Sequence, residues 1–523
     1  MEQIRNFTMC MGSALVIGEF AAAYFNLKNN KVDKLSNNEI KDHREAKKLV
    51  GDDGLILSNN IQLKEKIDFE GIGVFGATGS GKTTKFFVPN LLSNNIKGSI
   101  IVTDPKGELY KLTSKYQENV CGREVYKIDL TNPNYSYKYN LLENCKDIQE
   151  VLQLSSSLLY NGSLSLELQT GKKAGGIEWV QMAEPLLSAA LLYAKDLKYP
   201  FNNVEFAFQL ILTLDTEQLQ LLIEKSKNID AMTQFNIFMQ VSGADRTEGS
   251  IKITLASNLK AFTDKNINTV NSKTNIYIER FRKKKSILYI SYPERKASYY
   301  SPFVAPLFNS IIDKLLDSYN ADSLPISMLF EEFANIGMLN NLSSILATSR
   351  SREVSFTLCL QSISQLFQIY GQYNTKSILN NLKTKILLPG CSDLDTINYI
   401  SSLCGNIEVN TMTRSKSGNN ETKSYSKIKR KMFEDGELRT LDDDKALIVM
   451  ANNQAILDSV EMYFENEEYV MNIFEDQVKM REDKLTLVSI NAELKKLKVE
   501  LAAELDEVEE EENSGQRLFT REV

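Results

Sequence analysis

Gly76-Ala77-Thr78-Gly79-Ser80-Gly81-Lys82-Thr83 fills every defined position of the pattern G-x-x-x-x-G-K-[ST], a loop that cradles nucleotide phosphates. An apolar run, Ile72 to Phe75, precedes it, and Phe86-Phe87-Val88-Pro89-Asn90-Leu91-Leu92 follows, so the context reads strand, glycine loop, helix. That is the setting the pattern needs. Glycines let the backbone approach a triphosphate, and the loop amides and helix N-terminus supply partial positive charge for it. Lys82 can reach the β- and γ-oxygens, and Thr83 can hold Mg²⁺. A nucleoside triphosphate and Mg²⁺ are therefore the expected ligands, with Gly76, Ala77, Thr78, Gly79, Ser80, Gly81, Lys82, Thr83 and Thr84 as the expected contacts.

A chain of 523 residues exceeds one ordinary core and suggests about two to four domains. Its hydrophobic share of 42% and charged share of 25% are those of a globular protein. The formal net charge is −7, so no global positive field draws it to nucleic acid, and phosphate-backbone contacts must come from local patches. The six cysteines are scattered with no C-x-x-C pair, which points to reduced thiols and gives no sign of a zinc site. His43 is the sole histidine, so a histidine-rich metal site is excluded and chemistry that needs a histidine base would have to use that one residue. Carboxylate, lysine, arginine and metal-phosphate chemistry remain.

Residues Phe7 to Phe25 are apolar except for Glu19, about the length of a bilayer core. This is a candidate membrane anchor, with a core-docked helix as the alternative. Lys28, Lys31, Lys34, Lys41, Arg44, Lys47 and Lys48 follow and would keep the bulk of the chain on the cytoplasmic side.

From Leu55 strands and helices alternate. Ser99–Thr103 reads as a buried strand that ends at Asp104-Pro105-Lys106-Gly107-Glu108-Leu109, and strand carboxyl ends are where open α/β sheets bind ligands. Asp104 is thus a candidate for the nucleotide site. Val125–Asp129 reads as a further strand. Between Cys145 and Asp264 the periodicity turns helical, with Trp179, Ala183, Leu186, Leu187, Ala190 and Leu191 on one face, and Trp179 reads as a core anchor.

Strand character returns at Ser286–Ile290, and a helix is expected over about 303–319. Ile326-Ser327-Met328-Leu329-Phe330-Glu331-Glu332 then closes an apolar run on two carboxylates, the form of a second nucleotide motif in which one acid supports Mg²⁺ and the next activates water. Phe356–Leu360 is another buried strand, tipped by Gln361, whose amide can sense the γ-phosphate. Arg350 and Arg352 stand before that strand, placed to reach a neighbour's phosphate in a ring or to form surface ion pairs. Thr411–Lys431 is polar and basic, a flexible loop or long hairpin that is either solvated or DNA-facing, and Ala446–Met450 reads as a last core strand. Leu487, Ile490, Leu494, Leu497 and Leu501 form a short heptad seam that docks on a partner or on the body, and the acidic run Glu509–Glu512 is expected to be a disordered tail.

These blocks together resemble the type IV coupling proteins, the ATPases of conjugation and type IV secretion. The resemblance covers about Leu55 to Phe464. It is carried by the phosphate loop with Val88-Pro89-Asn90-Leu91-Leu92, Asp104-Pro105-Lys106-Gly107-Glu108-Leu109, Trp179 and its helix, and Leu329-Phe330-Glu331-Glu332-Phe333-Ala334-Asn335-Ile336-Gly337. Arg350-Ser351-Arg352 with Gln361-Ser362 and Gln365-Leu366, Thr396 to Gly405, and Glu437-Leu438-Arg439 follow in order. Two departures stand out: Glu331 occupies a position where that family usually has aspartate, and one candidate membrane span is present where two are common.

The resemblance implies an α/β, RecA-like P-loop domain with an inserted all-α domain and a hexameric ring at the inner face of a bacterial membrane. It implies ATP-driven transfer of DNA-protein substrates, with single- or double-stranded DNA, a relaxase, relaxosome or effector protein, and type IV secretion channel components as partners. The expected division is an anchor at 1–30, a basic linker at 31–54, nucleotide-binding parts at 55–144 and 265–465, an all-α domain at 145–264 and a helical, acidic tail at 466–523. Expected roles are Mg²⁺ support for Thr83 and Glu331, general base for Glu332, γ-phosphate sensing for Gln361 and action across a subunit boundary for Arg350 or Arg352. Two other readings remain open: a chromosome-partitioning type translocase of double-stranded DNA, and a substrate receptor that binds nucleotide with little hydrolysis.

Overall fold

Short runs of aliphatic and β-branched residues, buried on both faces, are the interior strands of a parallel sheet. The structure, a computed structural model, describes residues 51–171, 176–243, 245–417, 420–450, 455–483 and 490–519. Among them, the main sheet has nine strands: β1 (Ile72–Phe75), β2 (Ser99–Thr103), β3 (Glu124–Asp129), β4 (Ser286–Ser291), β5 (Ile326–Phe330), β6 (Val354–Leu360), β7 (Thr384–Leu387), β8 (Lys445–Met450) and β9 (Ile456–Ser459). Their order is β9-β8-β7-β1-β6-β5-β2-β4-β3. Strands β7 through β3 in that order run parallel, while β8 is antiparallel to both of its neighbours. β1, β2, β5, β6 and β7 are buried at every residue.

The two-residue alternation of a strand divides these side chains between two cores. Ile72, Val74, Ile100, Val102 and Leu329 face one core with Phe87 and Leu91 of the helix after the phosphate loop. Phe75, Ile101, Met328, Phe330 and Phe356 face the other, which continues without a break into a block of helices. Register then fixes what meets at the strand tips. Phe75 lies opposite Leu360 and Phe330 opposite Leu358, so Gly76, Gln361 and Glu331-Glu332 leave the sheet side by side.

Helix α1 (Glu108–Asn119) follows β2. The helical block lies between β3 and β4 and comprises α2 (Ile148–Thr170), α3 (Ile177–Lys195), α4 (Val204–Thr213), α5 (Thr216–Ser226), α6 (Ile229–Ser242) and α7 (Asp245–Asn258), with shorter turns. Side-chain caps set several of its starts: Asp147 accepts from Glu150 N, Asn203 from Phe206 N and Asp215 from Gln218 N. Each such cap is worth about 1 kcal/mol. Ala183, Leu186, Leu187, Ala190 and Leu191 of α3 are buried, and Trp179 packs half-buried against them. Helix α8 (Ala297–Asp317) starts six residues earlier than the sequence suggests and carries Pro302 and Pro306 within it. α9 (Ile363–Asn381) follows β6.

The chain's last helix, α10 (Ile490–Phe519), docks on the body. Ile490, Leu494 and Leu501 are buried, Lys498 Nζ donates to the Thr213 carbonyl at 2.9 Å, and Lys225 pairs with Glu504, which seats α10 against α4 and α5. Leu487 lies outside the described residues. The expected disordered acidic tail is corrected: Glu509–Glu512 continue α10. Thr411–Lys431 belongs to an antiparallel hairpin of Asn406–Ser417 and Asn420–Lys431. The anchor candidate and the basic run after it lie outside the described residues, among which no helix is long and apolar enough to cross a membrane.

Candidate nucleotide site

The loop after β1 has glycine where the backbone demands it. Gly79 and Gly81 adopt φ of +84° and +88°, a left-handed region that costs an L side chain about 1 kcal/mol or more. Beyond Gly81 the chain winds a wide turn over Lys82–Phe87, closed by Val88 N donating to the Thr83 carbonyl, and continues as Val88–Leu91. Thr84 Oγ1 bonds the Gly81 carbonyl at 3.2 Å.

Lys82 lies inside this loop, 6% exposed, and donates to the carbonyls of Gly76 at 2.8 Å and Ala77 at 3.2 Å. Its Nζ stands 3.5 Å from Glu332 Oε1. Gln361, at the tip of β6 between those two strands, donates Nε2 to both oxygens of Glu332, at 3.3 and 3.2 Å. Glu332 is thus held on one side by a cation and on the other by an amide, and that pair fixes a carboxylate's orientation.

Glu331 turns the other way. Its carboxylate accepts the Thr83 hydroxyl, and its backbone N donates to Thr103 Oγ1 at 2.7 Å. It is 5% exposed, and burial pushes its carboxyl up to about 7. The Thr83 hydroxyl works against that rise, while Asp104 and Glu332 add to it.

These residues suit a triphosphate with Mg²⁺. Mg²⁺ takes one or two protein oxygens and completes its shell with water and phosphate oxygens. Thr83 and Glu331 supply that many, and no group of three or more His, Cys, Asp or Glu among the described residues could hold a metal without substrate. Within the loop, Ser80 Oγ is buried with no hydrogen-bond partner, a donor in place for a phosphate oxygen.

The structure brings Lys82, Thr83, Glu331, Glu332 and Gln361 together. Asp104 stands in the same row of strand tips, but its oxygens accept the backbone amides of Leu109 at 3.1 Å and Tyr110 at 2.8 Å. It is fully buried, and desolvation pushes its carboxyl up to about 6. These bonds tie the Pro105–Gly107 turn to the first turn of α1. Arg350 and Arg352 are not brought to this pocket. They precede β6 whereas Gln361 follows it, and seven strand residues span about 23 Å. Arg350 is 65% exposed and pairs with Glu70 at 2.9 Å, and Arg352 lies 6.0 Å from the Tyr319 ring.

Three contributors escape the sequence reading. Thr103 holds the Glu331 backbone, and its place one residue before the strand tip was the available signal. Tyr292, just past β4, is fully buried with an unpartnered hydroxyl; burial pushes that hydroxyl up, and Glu331 and Glu332 add to the push. Asn161 of α2 accepts Met338 N at 2.7 Å and donates to the Met338 carbonyl at 3.1 Å, which ties the helical block to the segment leaving Glu332. No local pattern marks Tyr292 or Asn161.

Protein VirD4 of Rhizobium rhizogenes is 23% identical over 426 residues, which is 77% of this chain and 60% of that protein. Protein VirD4 of Agrobacterium fabrum is 24% identical over 340 residues, 64% of this chain and 49% of its own length. The chain thus spans about half to three-fifths of the curated relatives it matches. Among solved structures, the unbound bacterial conjugative coupling protein TrwBdeltaN70 superposes with a TM-score of 0.64 at 15% identity, covering 82% of this chain and 93% of that one. Plasmid coupling protein TrwB in complex with ADPNP gives 0.63 at 14% identity, covering 86% and 98%, so the two share a fold. A family model described as type IV secretory system conjugative DNA transfer matches residues 16–495, and the chain belongs to that family.

Proposed function

We propose that this chain is an ATP-hydrolysing coupling protein that recruits DNA-protein substrates and drives their transfer into a type IV secretion channel. The observation that carries the reading is the convergence of Lys82, Thr83, Glu331, Glu332 and Gln361 at the tips of three adjacent strands. Solved complexes of TrwB with ADPNP and with ADP and Mg²⁺ support the choice of ligands.

Lys82 exchanges its two loop carbonyls for phosphate oxygens, and the loop amides and Ser80 hydroxyl take others. Thr83 and Glu331 hold Mg²⁺, which when bound neutralises charge on the phosphates. Glu332 accepts a proton from the attacking water, oriented by Lys82 and Gln361, and the amide of Gln361 reports the γ-phosphate to the start of α9. Water oxygen bonds phosphorus as the bond to the β,γ-bridging oxygen breaks, which leaves ADP and phosphate. Arg350 and Arg352, at the far end of β6, serve the pocket of a neighbour in a homo-oligomeric, hexameric ring. That ring sits at a bacterial membrane with its bulk on the cytoplasmic side, and it meets DNA, a relaxase, relaxosome or effector, and channel components. The division at 145 and 264 makes the helical block an inserted domain that recruits cargo.

One observation favours a second reading, a receptor with little hydrolysis. Thr83 is bonded to the glutamate that would share its metal, and Glu331 is longer than the usual aspartate. ATP turnover with and without single-stranded DNA separates the two. The motor reading expects a rate that DNA raises, and a rate near zero in both conditions supports the receptor.

A further inference from the structure

The register of the Asn406–Ser417 and Asn420–Lys431 hairpin sorts its residues into two unlike faces. Cross-strand pairs Asn406–Lys431, Glu408–Lys429 and Met412–Tyr425 share one face, and Lys427 lies on it between Lys429 and Tyr425. The pairs between them, Ile407–Arg430, Val409–Ile428 and Thr411–Ser426, share the other. The first face gathers Lys427, Lys429 and Lys431 along one strand, with Glu408 opposite Lys429. The second holds β-branched residues and hydroxyls with one cation, Arg430, which pairs with Glu437 at 3.1 Å, and Ile407 packs against the core.

We infer that the lysine face of this hairpin binds a single strand of nucleic acid, an inference that rests on the DNA-handling reading above. Lysines two residues apart on a strand repeat every 6 to 7 Å or so, a spacing an extended phosphate backbone can follow. Two of them have surface ion pairs, Lys427 with Glu408 at 3.9 Å and Lys431 with Asp435 at 2.8 Å. Exposed pairs of this kind are worth little and yield to phosphate. Tyr425 continues the row at 72% exposure, an aromatic plane in water beside cations, and base stacking on such a plane is what a single strand offers and a duplex withholds. Solubility does not call for this cluster in a chain whose net charge is −7.

The experiment is fluorescence anisotropy of a labelled oligodeoxythymidylate, and of a duplex of equal length, binding the full chain across a salt series. Each phosphate contact to a single strand contributes about 0.7 to the slope of log K against log salt. K427Q/K429Q should flatten that slope by about 1.4, while K427R/K429R keeps the parent slope and both keep basal ATP turnover. Tyr425→Leu should weaken single-strand binding about tenfold at an unchanged slope and leave the duplex unaffected. A parent slope in K427Q/K429Q overturns the inference and leaves the DNA-handling reading standing. So does an arginine variant that loses as much as the glutamine variant, or a Tyr425→Leu effect equal on duplex and single strand. A parent chain that binds neither oligonucleotide overturns both.

Discussion

At the carboxyl end of β6, Gln361 lies against Glu332 and Lys82 in a buried row where the polar groups hold one another in place. At its amino end, Arg350 stands 65% exposed and meets Glu70 at the surface. One strand carries both ends, yet the first is closed within the chain and the second is open to whatever lies beside it. The pocket gathers Lys82, Glu332 and Gln361, while two arginines stand apart from it by the length of a strand. On the reading proposed above, the comparison separates binding from turnover: the closed end would bind nucleotide within one subunit, and the open end would complete turnover in a neighbour.

The largest expected effect is at the closed end. Lys82→Ala removes the cation that both loop carbonyls and Glu332 hold, and should abolish ATP turnover, a loss of more than about 1000-fold, with weakened nucleotide binding. Turnover within a few-fold of the parent would break the comparison at its first term. At the open end, Arg350→Ala and Arg352→Ala, separately and together, should leave nucleotide affinity unchanged and lower turnover of the assembled protein by about 1000-fold in the combined variant. Mixing that variant with Lys82→Ala should restore some turnover, because each supplies what the other lacks. If the arginine variants turn over at the parent rate, these side chains are surface ion pairs worth at most about 1 kcal/mol.

A smaller effect belongs to the helical block, away from both ends. Glu205 of α4 is partly buried, and desolvation pushes its carboxyl up to about 7, opposed by a hydrogen bond from Asn268. The folded chain therefore holds this proton more tightly than the unfolded chain does. That contribution is fully present below about pH 4.5 and is lost as pH rises through about 7. Glu205→Gln should gain up to about 3 kcal/mol over the parent at pH 8 and little near pH 5, with ATP turnover unchanged. Denaturant melts at the two pH values check it, and an equal gain at both would remove the carboxyl's ionisation as the cause.

How much of this was legible follows from what each element advertises. The phosphate loop is spelled out residue by residue, and β2, β5 and β6 are continuous apolar runs whose tips carry Asp104, Glu331-Glu332 and Gln361. β7 and β9 are four residues each and include Lys385 and Asp458, so neither displays an apolar run. Both polar side chains are nonetheless buried, Lys385 at 7% and Asp458 at 7% exposure, and Asp458 takes the Ser58 hydroxyl. Pro302 hid the first turns of α8, because proline interrupts a helix pattern without always ending the helix. Asp104 stands at a strand tip as its place in the sequence predicts, and what the sequence does not display is that its two oxygens take amides five and six residues on. The seam of α10 was visible as a stripe, but which surface covers it is a tertiary fact. For the same reason Asn161 and Tyr292, brought to the site by the helical block and by β4, left no local trace.

The central claim is that Glu332 is the proton acceptor in a pocket whose binding elements are separate from it. Glu332→Gln tests this most directly, because the amide keeps the size of the side chain and an acceptor for Lys82 while losing the base. Measured as steady-state turnover beside retention of bound nucleotide, the variant should lose about 100-fold or more in rate and hold ATP unhydrolysed at an affinity no weaker than the parent's. DNA-stimulated turnover at the parent rate in Glu332→Gln would contradict it.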